Sequence, residues 1–215
     1  MATPFDGTES ESAAVAIAAR DDIRLAAALA SGTEPDAVGA EGITLLHWAV
    51  VNRADAACAV LLAAGADPLR PDGDGDTPLH LAATAAARAC LTILLDHRAD
   101  PDVTNPYNGR TPLLEAVFHQ RHSNTRALLA AAANPDIADR AGETPLHIAA
   151  ELDEHDIVLD LLRAGADPTA RNAQGATFQR YLFMTPAMLR PAAARRALEE
   201  ITAWLAGNGV PLESP

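Results

Sequence analysis

Three aspartates at alternate positions, Asp72, Asp74 and Asp76, supply the oxygen ligands with which a calcium loop begins. The loop fails further on. Its sixth position is Thr77 and its twelfth Ala83, where the turn needs glycine and the ion a bidentate glutamate. His119 and His122 stand three apart, a spacing that brings two rings to one face of a continuous helix. No cysteine or carboxylate beside them completes a tetrahedral metal set. Cys58 and Cys90 read most simply as small buried apolar residues, with a disulfide or redox role as the alternative. The chain has no G-x-S-x-G elbow, no P-loop and no H-E-x-x-H. Its carboxylates are scattered rather than paired in an apolar setting, so no catalytic residue, metal or cofactor is nominated and a non-enzyme is expected.

Three other histidines recur at matching places. Thr44-Leu45-Leu46-His47, Thr77-Pro78-Leu79-His80, Thr111-Pro112-Leu113-Leu114 and Thr144-Pro145-Leu146-His147 start 33, 34 and 33 residues apart (77 − 44, 111 − 77, 144 − 111), and Thr177 opens a degenerate fifth copy. Paired leucines at Leu61-Leu62, Leu94-Leu95, Leu128-Leu129 and Leu161-Leu162 keep the same intervals. Each threonine is placed to cap a helix, with proline at the first helical position in all full copies but the first, where Leu45 stands. A second helix follows, carrying the leucines. Twenty-one residues after each threonine, at Gly65, Arg98, Ala132 and Gly165, the chain needs a left-handed residue, which predicts strain of roughly 1 kcal/mol at the two non-glycines. Asp-Pro or Asn-Pro then stops the helix, and a projecting turn leads to the next threonine. The residue that lengthens one interval is expected within Asp102–Asn108.

A period of about 33 residues carrying T-P-L-H-x-A resembles the ankyrin-repeat family. The resemblance implies an all-α solenoid of helix-turn-helix units with β-hairpin loops: an N-cap, about four full repeats and an elaborated C-cap. The boundaries that follow are a polar tail over 1–10 and one repeat domain over 11–215. That domain comprises an N-cap (11–41), repeats at 42–74, 75–108, 109–141 and 142–174, and an extended C-cap (175–215). Asp21-Asp22 splits the N-cap into two helices and Asp21 caps the second. In the C-cap, Thr185-Pro186 is a further capping signal, Arg195 to Leu205 an amphipathic helix, and Phe178, Tyr181, Phe183 and Trp204 are four of the chain's eight aromatic residues.

Of the 215 residues, 49% are hydrophobic, enough to bury a core, and the net charge of −13 repels a phosphate backbone, so nucleic acid is an unsuitable partner. No apolar run approaches a membrane span, and no secretory signal precedes residue 12, so a cytoplasmic protein is expected. All sixteen basic residues are arginine and alanine is abundant, a composition expected of GC-rich, bacterial coding.

In the ankyrin family partners are held by the loop tips and the exposed ends of the inner helices. Carried over, this implies Glu41, Ile43, Asp72, Asp74, Asp76, Tyr107, Asn108, Arg110, Asp139, Arg140, Glu143 and Gln174 at the tips, and Val51, Asn52, Thr84, Phe118, His119, Glu151 and Leu152 at the helix ends. Tyr181 and Phe183 join them from the C-cap. The family histidine bonds backbone between repeats, which makes His47, His80 and His147 structural. The implied function is a non-catalytic protein-binding module; the acidity of the chain favours a partner with a basic surface, and of the oligomeric states the monomer is favoured. The specific form is an immunity-type neutraliser of a bacterial toxin or secreted effector, and the alternative a regulatory accessory subunit or scaffold of a cellular enzyme.

Overall fold

In the computed structural model, which describes residues 3–86, 88–184 and 191–213, every threonine of the repeated motif stands at a helix N-cap with extended backbone. Thr44 Oγ1 accepts the His47 N–H at 3.3 Å, and His47 Nδ1 accepts the Thr44 N–H at 3.2 Å. A ring nitrogen that accepts a backbone N–H carries no proton, so the neutral ring bears its hydrogen on Nε2. That nitrogen donates to the Asp76 carbonyl, 2.9 Å away in the next repeat. His147 ties Thr144 to the Ala176 carbonyl in the same way, at 3.1 Å. In the third copy Leu114 replaces the ring; Thr111 still caps its helix, but no imidazole reaches onward.

The chain divides into two compact units, Met1–Tyr107 and Asn108–Pro215. In the first, α1 (Glu11–Ala19), α3 (Leu45–Val51) and α5 (Pro78–Thr84) pack in sequence as inner helices. Behind them lie the outer helices α2 (Asp22–Ala30), α4 (Asp55–Ala63) and α6 (Ala89–Asp96). The second unit repeats the plan, with α7 (Pro112–Phe118), α9 (Pro145–Glu151) and α11 (Phe178–Leu182) inside and α8 (His122–Ala130), α10 (His155–Arg163) and α12 (Ala192–Gly207) outside. Small residues line the inner helices, Ala49, Ala82, Ala116 and Ala149 being fully buried, so that neighbouring backbones approach closely; Leu61, Leu94, Leu128 and Leu161 fill the space behind them. Among the described residues the connecting loops contain one isolated antiparallel bridge, Val38 with Thr44, and are otherwise tight turns.

Two expectations need correction or narrowing. Residues 3–10 are not a loose tail: they fold into turns, Phe5 is fully buried, and the Pro4 carbonyl accepts the Ala40 N–H at 2.8 Å. Burial of this aromatic, with the hydrogen bonds of the turns, opposes the entropy cost of ordering the segment. At the other end, α12 starts at Ala192, three residues before the amphipathic pattern, and Thr185-Pro186 lies outside the described residues.

Arg98 and Ala132 adopt φ of 63° and 62°, the left-handed conformation that Gly65 and Gly165 take without cost at φ 94° and 96°. Arg98→Gly and Ala132→Gly therefore each raise stability by about 0.5–1 kcal/mol, read as an increase in the urea midpoint; a decrease would show that neither β-carbon is strained.

Burial, opposed by the Asp76 hydrogen bond, holds the His47 pKa below the usual imidazole range. The unfolded chain takes up that proton near pH 6.5 and the folded chain resists it. The contribution of His47 is thus complete above about pH 6.5 and is lost as pH falls below it, by at most about 1.4 kcal/mol per pH unit, until the folded ring itself titrates. Urea unfolding at pH 7, 6 and 5 checks this. His47→Gln is less stable than wild type at pH 7, and the gap narrows with acid; a gap independent of pH contradicts the assignment.

Candidate functional site: loop tips and inner-helix ends

Each tip is built on one aspartate or asparagine whose side-chain oxygen accepts two backbone N–H groups, or one, from the residues that follow. Asp72 Oδ1 accepts from Asp74 and Asp76 (both 3.0 Å), Asp139 Oδ1 from Ala141 (2.9 Å) and Glu143 (3.1 Å), and Asn172 Oδ1 from Gln174 (3.0 Å) and Ala176 (2.9 Å). Asn105 Oδ1 accepts the Tyr107 N–H at 2.8 Å. Such a side chain mimics a backbone turn and holds the loop rigid. These four residues are 33, 34 and 33 apart (105 − 72, 139 − 105, 172 − 139), a register present in the sequence but obscured there by the Asp/Asn alternation. Since Asn105 keeps its place after Asp100-Pro101, the extra residue falls between it and Thr111, which overlaps the end of the expected stretch. Asn108 Oδ1 makes a second turn there by accepting the Arg110 N–H at 2.8 Å.

Tips are also joined to their neighbours within each unit. The Gly73 N–H donates to the Glu41 carbonyl at 2.7 Å, Arg140 to Asn108 at 2.9 Å and Ala173 to Ala141 at 3.0 Å. Gly75, at φ 82°, lies under the Tyr107 ring so closely that a β-carbon there would sit 2.8 Å from Cδ2. Glycine at 75 thus serves both the turn and the seating of the tyrosine.

The sites implied by the sequence differ in exposure and in what their side chains hold. Glu41, Asp74, Asn108, Arg140, Gln174 and Glu151 are exposed, as are Val51 at 57%, Tyr107 at 64% and Phe118 at 46%. Ile43 and Leu152 are half-buried. Asp72 is half-buried and holds its own turn, and Asp76 Oδ1 accepts from Asn105 Nδ2 at 2.6 Å, so neither carboxylate is the open contact that was expected. The same two commitments account for the calcium-like spacing: the carboxylates organise a turn.

Glu143 and Tyr181 are likewise built into the scaffold. Glu143 Oε1 accepts from Asn172 Nδ2 at 2.8 Å and from the Tyr181 hydroxyl at 3.2 Å, and that hydroxyl in turn accepts from Asn172 at 2.8 Å. Burial, then the charge of Glu143, raises the Tyr181 pKa and keeps the phenol protonated as a donor. Tyr181 meets the His147 ring edge-on at 6.3 Å, so the cluster braces the motif histidine. Phe183 is half-buried and, with Arg171, Gln179, Arg180 and Met184, borders a cleft of about 700 Å³.

Around Phe118 the inner-helix end of the second unit is assembled from side chains of one surface. The Arg110 guanidinium lies 4.2 Å from the ring centroid and His119 approaches edge-on at 5.3 Å. Arg110 is placed by Glu115 at 3.5 Å and Asp139 at 3.6 Å, and His119 Nδ1 by Glu115 at 3.3 Å. Glu115 is 8% exposed, so a buried carboxylate holds a guanidinium and an imidazole against an accessible aromatic face. His122, by contrast, pairs with Glu154 at 2.8 Å on the outer helices, away from His119. Among the described residues no three His, Cys, Asp or Glu groups are placed to hold a metal ion, and no helix is long and apolar enough to cross a membrane.

Capped helix pairs, histidine ties and stapled tips define a repeat protein with exposed loop tips and inner-helix ends. The family described as "Ankyrin repeats (3 copies)" matches residues 14–105 and 85–172, and the chain belongs to it. Among solved structures, it is similar to an ankyrin repeat domain from Acinetobacter baumannii AYE, at 29% identity and a TM-score of 0.78, covering 93% of this chain and 98% of that one. It is also similar to the ankyrin repeat domain of Bcl-3, described as a unique member of the IkappaB protein family, at 26% identity and 0.78, covering 88% and 81%. A 93-residue stretch, 43% of the chain, is 39% identical to neurogenic locus notch homolog protein 4 of Homo sapiens, of which it spans 4%. The repeats make the chain a protein–protein interaction module.

Proposed function

We propose that the chain is a non-catalytic binder that takes hold of a partner protein with its loop tips and inner-helix ends, Tyr107 and Phe118 serving as anchors. Glu41, Ile43 and Asp74 join Tyr107 from the first unit, and Asn108, Arg110, His119, Arg140, Glu151, Leu152 and Phe183 join Phe118 from the second. The observation that carries the reading is Phe118: a large aromatic, 46% exposed, held rigid by Arg110 and His119. An aromatic fixed before binding loses little rotamer freedom on contact, and such residues supply most of the energy of protein interfaces. The net charge of −13 favours a partner with a basic surface and hastens the encounter. In its specific form the proposal is an immunity-type neutraliser of a bacterial toxin or secreted effector, acting in the cytoplasm by covering a basic active surface.

Affinity capture from a bacterial lysate with the wild-type chain and with the Tyr107→Ala/Phe118→Ala double variant tests the anchors. A protein captured by the wild type is expected to be lost or weakened at least tenfold with the variant, since each anchor contributes roughly 1–2 kcal/mol or more. Equal capture by the two sinks the assignment. The captured protein is then assayed with and without the chain: loss of a toxic activity supports neutralisation, and an enzyme that stays active while bound supports the accessory-subunit reading. Its association rate is expected to fall with added salt, and a salt-independent rate removes the electrostatic part of the proposal.

A further inference from the structure

The chain's two cysteines meet in the first unit, between the outer helices of successive repeats. Cys58 lies in α4 and Cys90 in the first turn of α6, and their Sγ atoms are 3.2 Å apart. By the repeat interval the counterpart of Cys58 is Leu91 (58 + 33); Cys90 precedes it by one residue, and that offset turns its thiol back toward α4 while Leu91 enters the core. The Cys90 thiol also donates to Asp55 Oδ1 at 3.0 Å. Cys58, Cys90 and Asp55 thus form a chain of thiol, thiol and carboxylate that runs from full burial to a half-exposed aspartate.

The two sulfurs, on neighbouring helices with no other thiol in the chain, are 3.2 Å apart, so closing to the ~2.05 Å of a disulfide brings them together by about 1 Å. We propose that Cys58 and Cys90 are an oxidation site, converted by a peroxide into a disulfide that staples the first two full repeats together. The Cys90 thiolate attacks one peroxide oxygen, the O–O bond breaks, and the departing hydroxide leaves as water once protonated. Cys58, as thiolate, then attacks the sulfenyl sulfur of Cys90 and displaces hydroxide, which leaves as a second water. Two thiols lose two electrons and one peroxide gains them. Asp55 is the group through which the Cys90 proton reaches solvent. The hydrogen bond from Cys58, then burial and Asp55, hold the Cys90 thiol protonated far above the ordinary thiol range, so the reaction is slower than that of an exposed thiol and quickens with pH. The bridge closes the segment 58–90, which carries the Asp72–Asp76 tip, so oxidation further restrains that tip.

The full chain, kept native at about pH 8 and treated with hydrogen peroxide, tests this. Intact mass is expected to drop by two hydrogens, and digestion without reductant should yield one peptide joining Cys58 to Cys90. The melting temperature should rise by about 5–10 °C and return on adding dithiothreitol. Cys58→Ala and Cys58→Ser, given the same treatment, should show no such reversible rise. The proposal is overturned if both cysteines of the oxidised protein alkylate after unfolding, if the bond forms only in denaturant, or if the product is a cross-linked dimer.

Discussion

The structure depends on a pair of hydrogen bonds between a threonine and the histidine three residues later. A helix of seven residues is too short to persist alone, because nucleation costs more than so few backbone bonds return. The Thr44–His47 exchange closes the helix start. The same ring then reaches from its own repeat to the next, where Nε2 holds the Asp76 carbonyl. One imidazole thus fixes a helix end, its own tautomer and the position of the following loop. Where the histidine is present, one contact thus couples local structure to repeat stacking, alongside the apolar packing of the helices.

With loops placed by the histidines, the tips can be rigid without strands. The aspartate or asparagine at 72, 105, 139 and 172 folds each tip on itself, and backbone bonds such as Gly73 to Glu41 join it to its neighbour. Part of the acidity assigned to recognition is consumed in this way: Asp72, Asp76, Asp139 and Glu143 are hydrogen-bonded within the loops, and Asp74 and Glu41 remain open to solvent. What stays available for a partner is apolar and aromatic more than acidic, with Tyr107 seated on Gly75 and Phe118 backed by Arg110.

The fold was legible in the sequence because its determinants are local and periodic. Thr-Pro marks a helix start wherever it occurs, and the strain at Arg98 and Ala132 could be placed by counting from a threonine. The candidate site was less so. Whether Glu143 faces a partner or Tyr181 depends on a residue 38 positions away, and nothing in the spacing of either announces their contact. The docking of Phe5 against the loop at 39–40 escaped for the same reason: a lone phenylalanine among polar residues has no period to reveal what it packs against. The Asx register, by contrast, was available in the sequence, and its one-residue displacement before Thr111 separates the scaffold residue Asn105 from the exposed Tyr107.

In the proposed function the motif residues build the scaffold and the loop tips and inner-helix ends bind. Hydrogen–deuterium exchange on the chain with and without its captured partner tests it most directly. Slowed exchange in peptides covering 72–76, 106–110 and 118–121, with the outer helices α8, α10 and α12 unchanged, is the predicted result. Protection confined to those outer helices, with the tips exchanging as in the free protein, would contradict the account.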